Sequence, residues 1–128
     1  IKKIKKKKIT DVDAQIKWEK FRKQNKNYLY PSFETIAGSG KNGAIVNYRA
    51  KKTSCRTIKK NDIFLCDSGG QYKYGTTDVT RTICFTKPKP HIKDIFTKIL
   101  KDTIAVANTN LKKDNVGNKI DIRARKYI

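Results

Sequence analysis

The sequence contains no methionine, a single histidine and a single tryptophan in 128 residues, and 11 acidic side chains stand against 31 basic ones for a formal charge of +20. Without Met, not even a start codon is represented, and the chain ends at Lys126-Tyr127-Ile128 inside what reads as a helix. A piece of a longer protein is therefore expected. The three cysteines, Cys55, Cys66 and Cys84, are odd in number and include no C-x-x-C pair. That excludes a disulfide framework and a cysteine zinc site, and it suits a reducing compartment. No stretch approaches the ~20 apolar residues of a membrane span, and the basic start Ile1 to Ile9 is not followed by the apolar segment of a signal peptide. No membrane contact and a cytoplasmic location are the expectations. Hydrophobic residues make up 37%, which allows one domain with a modest core.

Arginine is scarce as well, with 25 Lys to 6 Arg. Arg is the residue favoured where a guanidinium reads bases or grips phosphate in two places. Six lysines lie in residues 1 to 8, yet removing them leaves +14, so the excess runs along the whole chain. Abundant Lys, Ile and Asn is what an AT-rich coding sequence produces without selection for binding. The opening Lys run reads as a solvated, flexible lead-in. Some non-specific, salt-sensitive nucleic-acid affinity follows from the charge in any case.

Thr10 and Asp13 stand in N-cap and N3 relation, a capping box with Asp in place of Glu. Ala14, Trp18 and Phe21 then recur at helical spacing, which predicts a helix from about Asp11 to Asn25. After Tyr28-Leu29-Tyr30-Pro31 come Gly38, Gly40 and Gly43, then Ala44-Ile45-Val46 and Tyr48, read as a strand. Residues 51 to 60 read as a polar loop. Ile63-Phe64-Leu65-Cys66 reads as a buried strand and 76 to 85 as β-rich, with glycines between them that fit a hairpin. Pro88 and Pro90 close the β region. The spacing of Ile92, Ile95, Phe96, Ile99, Leu100 and Ala107 predicts an amphipathic helix that covers a sheet. Residues 108 to 118 read as a loop, and Ile120, Ala124 and Tyr127 as the start of another helix. Helix, strands, helix, helix is an α+β order with a mainly antiparallel sheet covered by helices.

Gly38 to Gly43 matches G-x-G-x-x-G, but a strand-like run follows it where the dinucleotide fingerprint needs a helix, so the glycines read as turn residues. Thr35 occupies the position of the first P-loop glycine and Asn42 follows Lys41, so it is not a P-loop either. His91, without a neighbouring acid or Cys, reads as a helix-start residue. Cys66 and Cys84 read as small buried hydrophobes.

The informative segment is D-S-G-G-Q-Y-K-Y-G-T-T-D-V-T-R-T, Asp67 to Thr82. A hairpin turning near Tyr72 and Lys73 sets Asp67 directly opposite Asp78 on one side of the ribbon, with Cβ atoms about 4.5–5.5 Å apart. Two carboxylates so close repel. A shared proton, Arg81 or a divalent cation would compensate. Arg81 is three residues from Asp78 and so points to the other face by strand alternation, which favours the cation. The competing reading is a bulge at Gly69-Gly70 that shifts the register and leaves two unrelated aspartates.

The same segment resembles the first metal-binding stretch of cytosolic-type Xaa-Pro aminopeptidases, members of the pita-bread metallopeptidase superfamily. The likeness extends to Lys20-Phe21-Arg22, Ser32-Phe33-Glu34-Thr35-Ile36, Asn42-Gly43-Ala44-Ile45 and Phe96-Thr97 with Ile99-Leu100-Lys101, and so covers nearly all of the chain from Thr10. The resemblance implies the N-terminal part of a pita-bread catalytic domain over residues 10–128 with its C-terminal part missing, after a basic lead-in at 1–9. It implies two divalent ions, commonly Mn2+, held by two Asp, one His and two Glu. A water bridging them attacks the bond between an N-terminal residue and a following proline. Asp67 and Asp78 carry over as metal ligands, with Asp78 the bridging one, and Thr80, Arg81 and Thr82 as supporting residues. The expected partner is a peptide with proline in second position, and the expected parent assembly is a homodimer.

The sequence departs from the pattern in places. His91 is not in a G-T-G-H-G context, and Glu19 and Glu34 precede the first Asp, so three of the five ligands fall beyond residue 128. Asn47 stands at the family's substrate-pocket His, and Asp102-Thr103-Ile104 replaces G-H-I. Two carboxylates cannot hold two ions, so residues 1 to 128 alone are expected to lack peptidase activity, with exposed sheet edges and helix faces. The alternative is a non-catalytic basic binding protein on the same scaffold, with an RNA or protein partner.

Overall fold

The structure is a computed structural model that describes residues 8–110, 112–113 and 116–128. Most of the lead-in, and positions 111, 114 and 115 of the loop at 108–118, lie outside the described residues. Two compact units divide between Thr86 and Lys87.

The first unit opens with helix α1, Asp11–Arg22. Its capping box is formed as the sequence predicts. The Thr10 hydroxyl accepts from the Asp13 amide at 3.2 Å, and the Asp13 carboxylate accepts from the Thr10 amide at 2.9 Å. Such a cap contributes about 1 kcal/mol. The helix stops three residues short of the expected Asn25. Asn25 instead folds its side chain onto the Asn27 amide at 2.9 Å, a local turn that competes with helix.

Six strands follow in two antiparallel three-stranded sheets: β1 (Tyr28–Pro31), β2 (Ile36–Ser39), β3 (Ile63–Ser68), β4 (Gly70–Tyr72), β5 (Gly75–Thr76) and β6 (Val79–Cys84). One sheet has the order β1-β4-β5, the other β2-β3-β6. The strand expected at Ala44 to Tyr48 is absent. A short 3₁₀ helix, Gly40–Ala44, takes its start, and the chain then turns at Asn47 with φ 58°. The real strand is β2, just before it, where the sequence reads only as glycine punctuation. In β3 every second residue is buried, namely Phe64, Cys66 and Ser68, so the run is a one-sided strand rather than a fully buried one.

The glycine run therefore lies within these elements, Gly38 in β2 and Gly40 and Gly43 in the 3₁₀ helix, and no strand follows it directly. Its glycines serve packing: a Cβ on Gly38 would lie 2.8 Å from the backbone of Asn42 and Gly43. Only Gly40 takes a positive φ, 53°.

A buried carboxylate ties these pieces together. Asp11 is fully buried. It accepts from the Ser39 amide (3.1 Å), the Asn42 side chain (2.9 Å), the Tyr48 hydroxyl (3.2 Å) and the Arg56 amide (3.1 Å). Donors that converge on an internal carboxylate are not open to an external phosphate. Burial, then the neighbouring Asp11 charge, pushes the Tyr48 hydroxyl up to about 12. Beside this hub, Ala37, Ile58, Phe64 and Cys66 form the small core, with Ile9, Ala14 and Phe85 packed on it. Of the α1 residues that recur at helical spacing, Ala14 packs on that core and Trp18, though 39% exposed, hydrogen-bonds the Cys66 side chain, whereas Phe21 stays exposed.

The second unit is a helix pair. α2, Pro90–Ala107, begins with Pro90 in its first turn, where the missing N–H costs nothing, and His91 follows it, exposed. α3 spans Gly117–Ala124. Asp102 of α2 is buried and accepts from the Tyr127 amide at 3.0 Å, which fastens the chain after α3 to α2.

Candidate metal-binding site

The β3–β6 ribbon carries both candidate aspartates, in a register different from the expected one. Asp67 pairs with Thr80, and Ser68 with Val79. The direct opposition of Asp67 and Asp78 does not occur. The cause lies at the hairpin tip: Tyr72 pairs with Gly75, so the loop is Lys73-Tyr74 rather than Tyr72-Lys73, and every pairing moves by two. A shift of two preserves the face within the paired run, Ile63–Ser68 against Val79–Cys84. Asp78 lies just outside that run, one residue before Val79, where the ladder has broken.

The ribbon between the two aspartates is held by backbone. The strands break at Gly69 and again at Thr77-Asp78. A Cβ on Gly69 would sit 1.9 Å from the Thr77 carbonyl oxygen and 2.3 Å from the Ser32 hydroxyl, so only glycine fits. The Thr77 amide donates to the Gly70 carbonyl at 2.9 Å, the Gly70 amide to the Thr77 hydroxyl at 3.0 Å, and the Ser32 hydroxyl to the Thr77 carbonyl at 2.9 Å. From the other side Arg22 donates to the Ser68 hydroxyl, next in sequence to Asp67. Sequence reasoning passed over Ser32, Thr77 and the Arg22–Ser68 bond. The double glycine beside D-S was the available signal that another backbone comes close.

Every other acidic side chain among the described residues has a partner. Asp11 and Asp13 are spent on the hub and cap, Glu19 accepts from the Tyr28 hydroxyl, Glu34 pairs with Arg49 at 2.7 Å, and Asp62 with Arg56 at 3.5 Å. Asp94 and Asp121 pair along their helices, and Asp102 takes the Tyr127 amide. Asp67 and Asp78 make neither hydrogen bond nor ion pair, although basic side chains outnumber acidic ones 31 to 11. The Oδ1 atom of Asp67 is moreover buried with no partner. A buried anionic oxygen left so is costly unless a cation satisfies it. Two hard carboxylates fit a hard divalent cation. Among the described residues no third His, Cys, Asp or Glu joins them.

Arg81 does not neutralise the pair. It sits opposite Cys66, on the face away from Asp67, and donates to the Thr80 carbonyl at 2.7 Å. Thr80 and Thr82, opposite Asp67 and Leu65, share the Asp67 face. Burial pushes the Cys66 thiol up to about 11, which favours its neutral form as a small core residue. Asn47 is exposed at its turn. Its left-handed backbone, φ 58°, is one that Asn adopts more readily than most residues.

The sequence pattern of metallopeptidase family M24 matches residues 1–128. An uncharacterized peptidase of Schizosaccharomyces pombe is 45% identical over 121 residues, 94% of this chain and 20% of that protein. A probable Xaa-Pro aminopeptidase P of Phaeosphaeria nodorum is 41% identical over 120 residues, 94% of this chain and 18% of that protein. Among solved structures, the X-prolyl aminopeptidase of Caenorhabditis elegans, described as a cytosolic enzyme with a di-nuclear active site, superposes with TM-score 0.76 at 33% identity, over 83% of this chain and 17% of that one. A prolidase of Thermococcus sibiricus gives 0.77 at 26% identity, over 93% of this chain and 31% of that one. The chain thus spans about a fifth of the length of the curated relatives it matches. Its α+β architecture is part of the pita-bread fold of these neighbours. The chain belongs to metallopeptidase family M24.

Proposed function

We propose that residues 10–128 are the N-terminal part of the catalytic domain of a proline-specific aminopeptidase, and that Asp67 and Asp78 are two of its metal ligands. The observation that carries this is the pair itself: the only side-chain carboxylates without a partner among the described residues, both at the broken end of the β3–β6 ribbon, in a chain where basic side chains outnumber acidic ones 31 to 11. The names of the relatives supply the substrate class, peptides with proline in second position. Two divalent ions, Mn2+ by preference, would supply Lewis-acid polarisation and an activated water at this site.

The chain's own residues do the positioning. Gly69 and Thr77 hold the break in the ribbon, the Arg22–Ser68 bond anchors the strand behind Asp67, and Thr80 and Thr82 line the face that Asp67 occupies. Arg81 stiffens β6 through the Thr80 carbonyl. Asn47 takes the substrate-pocket place of the family's His. A cytoplasmic location belongs to the same reading and is supported by the cytosolic neighbour. A homodimeric parent belongs to the same reading, as does the basic lead-in at 1–9.

With two ligands, residues 1–128 alone are inactive. The test is hydrolysis of a Xaa-Pro-Xaa peptide in Mn2+ by this chain and by the longer protein that contains it. The expected result is no turnover by the former, and loss of at least about a hundredfold in the latter on Asp67→Asn or Asp78→Asn. Proline-specific turnover that survives both substitutions overturns the assignment.

A further inference from the structure

The glycine run at 38–43, which the metal site leaves unused, contains the only Asn-Gly pair of the sequence, Asn42-Gly43. Such a pair is chemically labile, because a glycine amide has no side chain to keep it away from the Asn carboxamide carbon. The Gly43 nitrogen gives its proton to solvent and attacks the Asn42 Cγ. The N–Cγ bond forms, the carboxamide C–N bond breaks and ammonia leaves. Water then opens the cyclic imide at either carbonyl, which leaves aspartate or isoaspartate in place of the asparagine.

In the folded chain this reaction has no room. Asn42 is 5% exposed, and its Nδ2 donates to Asp11 Oδ2 at 2.9 Å and to the Tyr48 hydroxyl at 2.8 Å. Its backbone lies inside the 3₁₀ helix, where its carbonyl accepts from the Ile45 amide at 3.3 Å. Gly43 is held closely as well, since a Cβ there would lie 3.1 Å from the Gly38 carbonyl oxygen. Ring closure needs the carboxamide released and the helical turn undone, so only an opened molecule reacts.

The product does not fit back. A carboxylate oxygen in place of the Asn42 nitrogen would stand 2.9 Å from an oxygen of the fully buried Asp11, whose other contacts are the Ser39 amide, the Tyr48 hydroxyl and the Arg56 amide. Two carboxylates so close cannot both stay ionised, and Asp11 also loses a donor. We propose that Asn42-Gly43 is a deamidation site that the fold holds shut, that opening of the hub exposes, and whose product cannot rebuild the hub. The reaction is hydrolysis of a side-chain amide by water, with no cofactor. It is independent of the metal reading.

The test follows the amide-to-acid change at Asn42 by mass-spectrometric peptide mapping of the longer protein that contains this chain, at mildly alkaline pH, with and without unfolding concentrations of urea. Deamidation is expected in urea and at least about a hundredfold slower without it, since a folded protein exposes such a site in only ~10⁻³ or less of its molecules. Asn42→Asp, the product made genetically, should lower the folding equilibrium constant by about tenfold or more relative to Asn42→Ser, which removes the same donor without adding a charge. Failure of Asn42→Asp to fold while Asn42→Ser folds is the extreme form of that result. Equal rates with and without urea, no reaction in urea, or two variants that fold or fail alike would each overturn the proposal.

Discussion

The two ends of the β2–β3 pair present the same functional group in opposite circumstances. Where Ser39 faces Phe64, Asp11 is fully buried and four donors point at it. Where Ile36 faces Asp67, the Asp67 carboxylate keeps a buried oxygen with no donor at all. One carboxylate is consumed by the fold and holds it together. The other keeps an oxygen that the fold does not satisfy, as Asp102 does with its Oδ2, but Asp67 has no other partner among the described residues. Most of the described acids are bound within the fold, and Asp67 and Asp78 are the pair we propose as ligands.

The sharpest way to break this comparison is to remove each carboxylate in turn. Asp11→Ala strands four donors inside the protein and is expected to cost about 3–5 kcal/mol, a large share of the total stability of a domain. Asp67→Ala, by contrast, should change the unfolding free energy from urea titration by no more than about 1 kcal/mol, of either sign, because only an unpaired charge is lost. Similar losses at both positions would erase the distinction. Next in size is Gly69→Ala, where the clash with Thr77 should cost about 3 kcal/mol and abolish hydrogen-exchange protection of the Thr77 amide.

Tyr48→Phe removes one donor from Asp11 and should cost about 1 kcal/mol at neutral pH. Its pH dependence sharpens the account. The folded hydroxyl is pushed up to about 12 from an unfolded value near 10, so its contribution is complete below pH ~10 and is lost as pH climbs through about 12. Alkaline unfolding curves of the two proteins should therefore converge. At the small end, Lys98→Ala breaks an exposed pair with Asp94 and should cost no more than about 0.5 kcal/mol.

The sequence made the ends of elements legible where a side chain bonds its own backbone, as at Thr10 and Asp13, and where proline forbids a ladder, as at Pro88 and Pro90. It failed where the decisive contact is distant. Nothing near Asp11 in sequence announces Asn42, Tyr48 and Arg56, so the hub was invisible. β2 was hidden because Ile36-Ala37-Gly38-Ser39 is short and carries a glycine whose role, clearance for the Asn42 backbone, belongs to the fold. The aspartate pair shows how a small error in a turn travels: a loop misplaced by one residue set Thr80, not Asp78, opposite Asp67 and left Asp78 outside the ladder.

The most direct test of the proposed pair is a sub-stoichiometric Mn2+ titration of the chain followed by amide NMR, which registers where the paramagnetic ion sits. The account predicts that signals of residues 66–69 and 77–80 broaden first and that Asp67→Asn with Asp78→Asn abolishes the effect. Broadening centred on other carboxylates, or unchanged in that double variant, would contradict it.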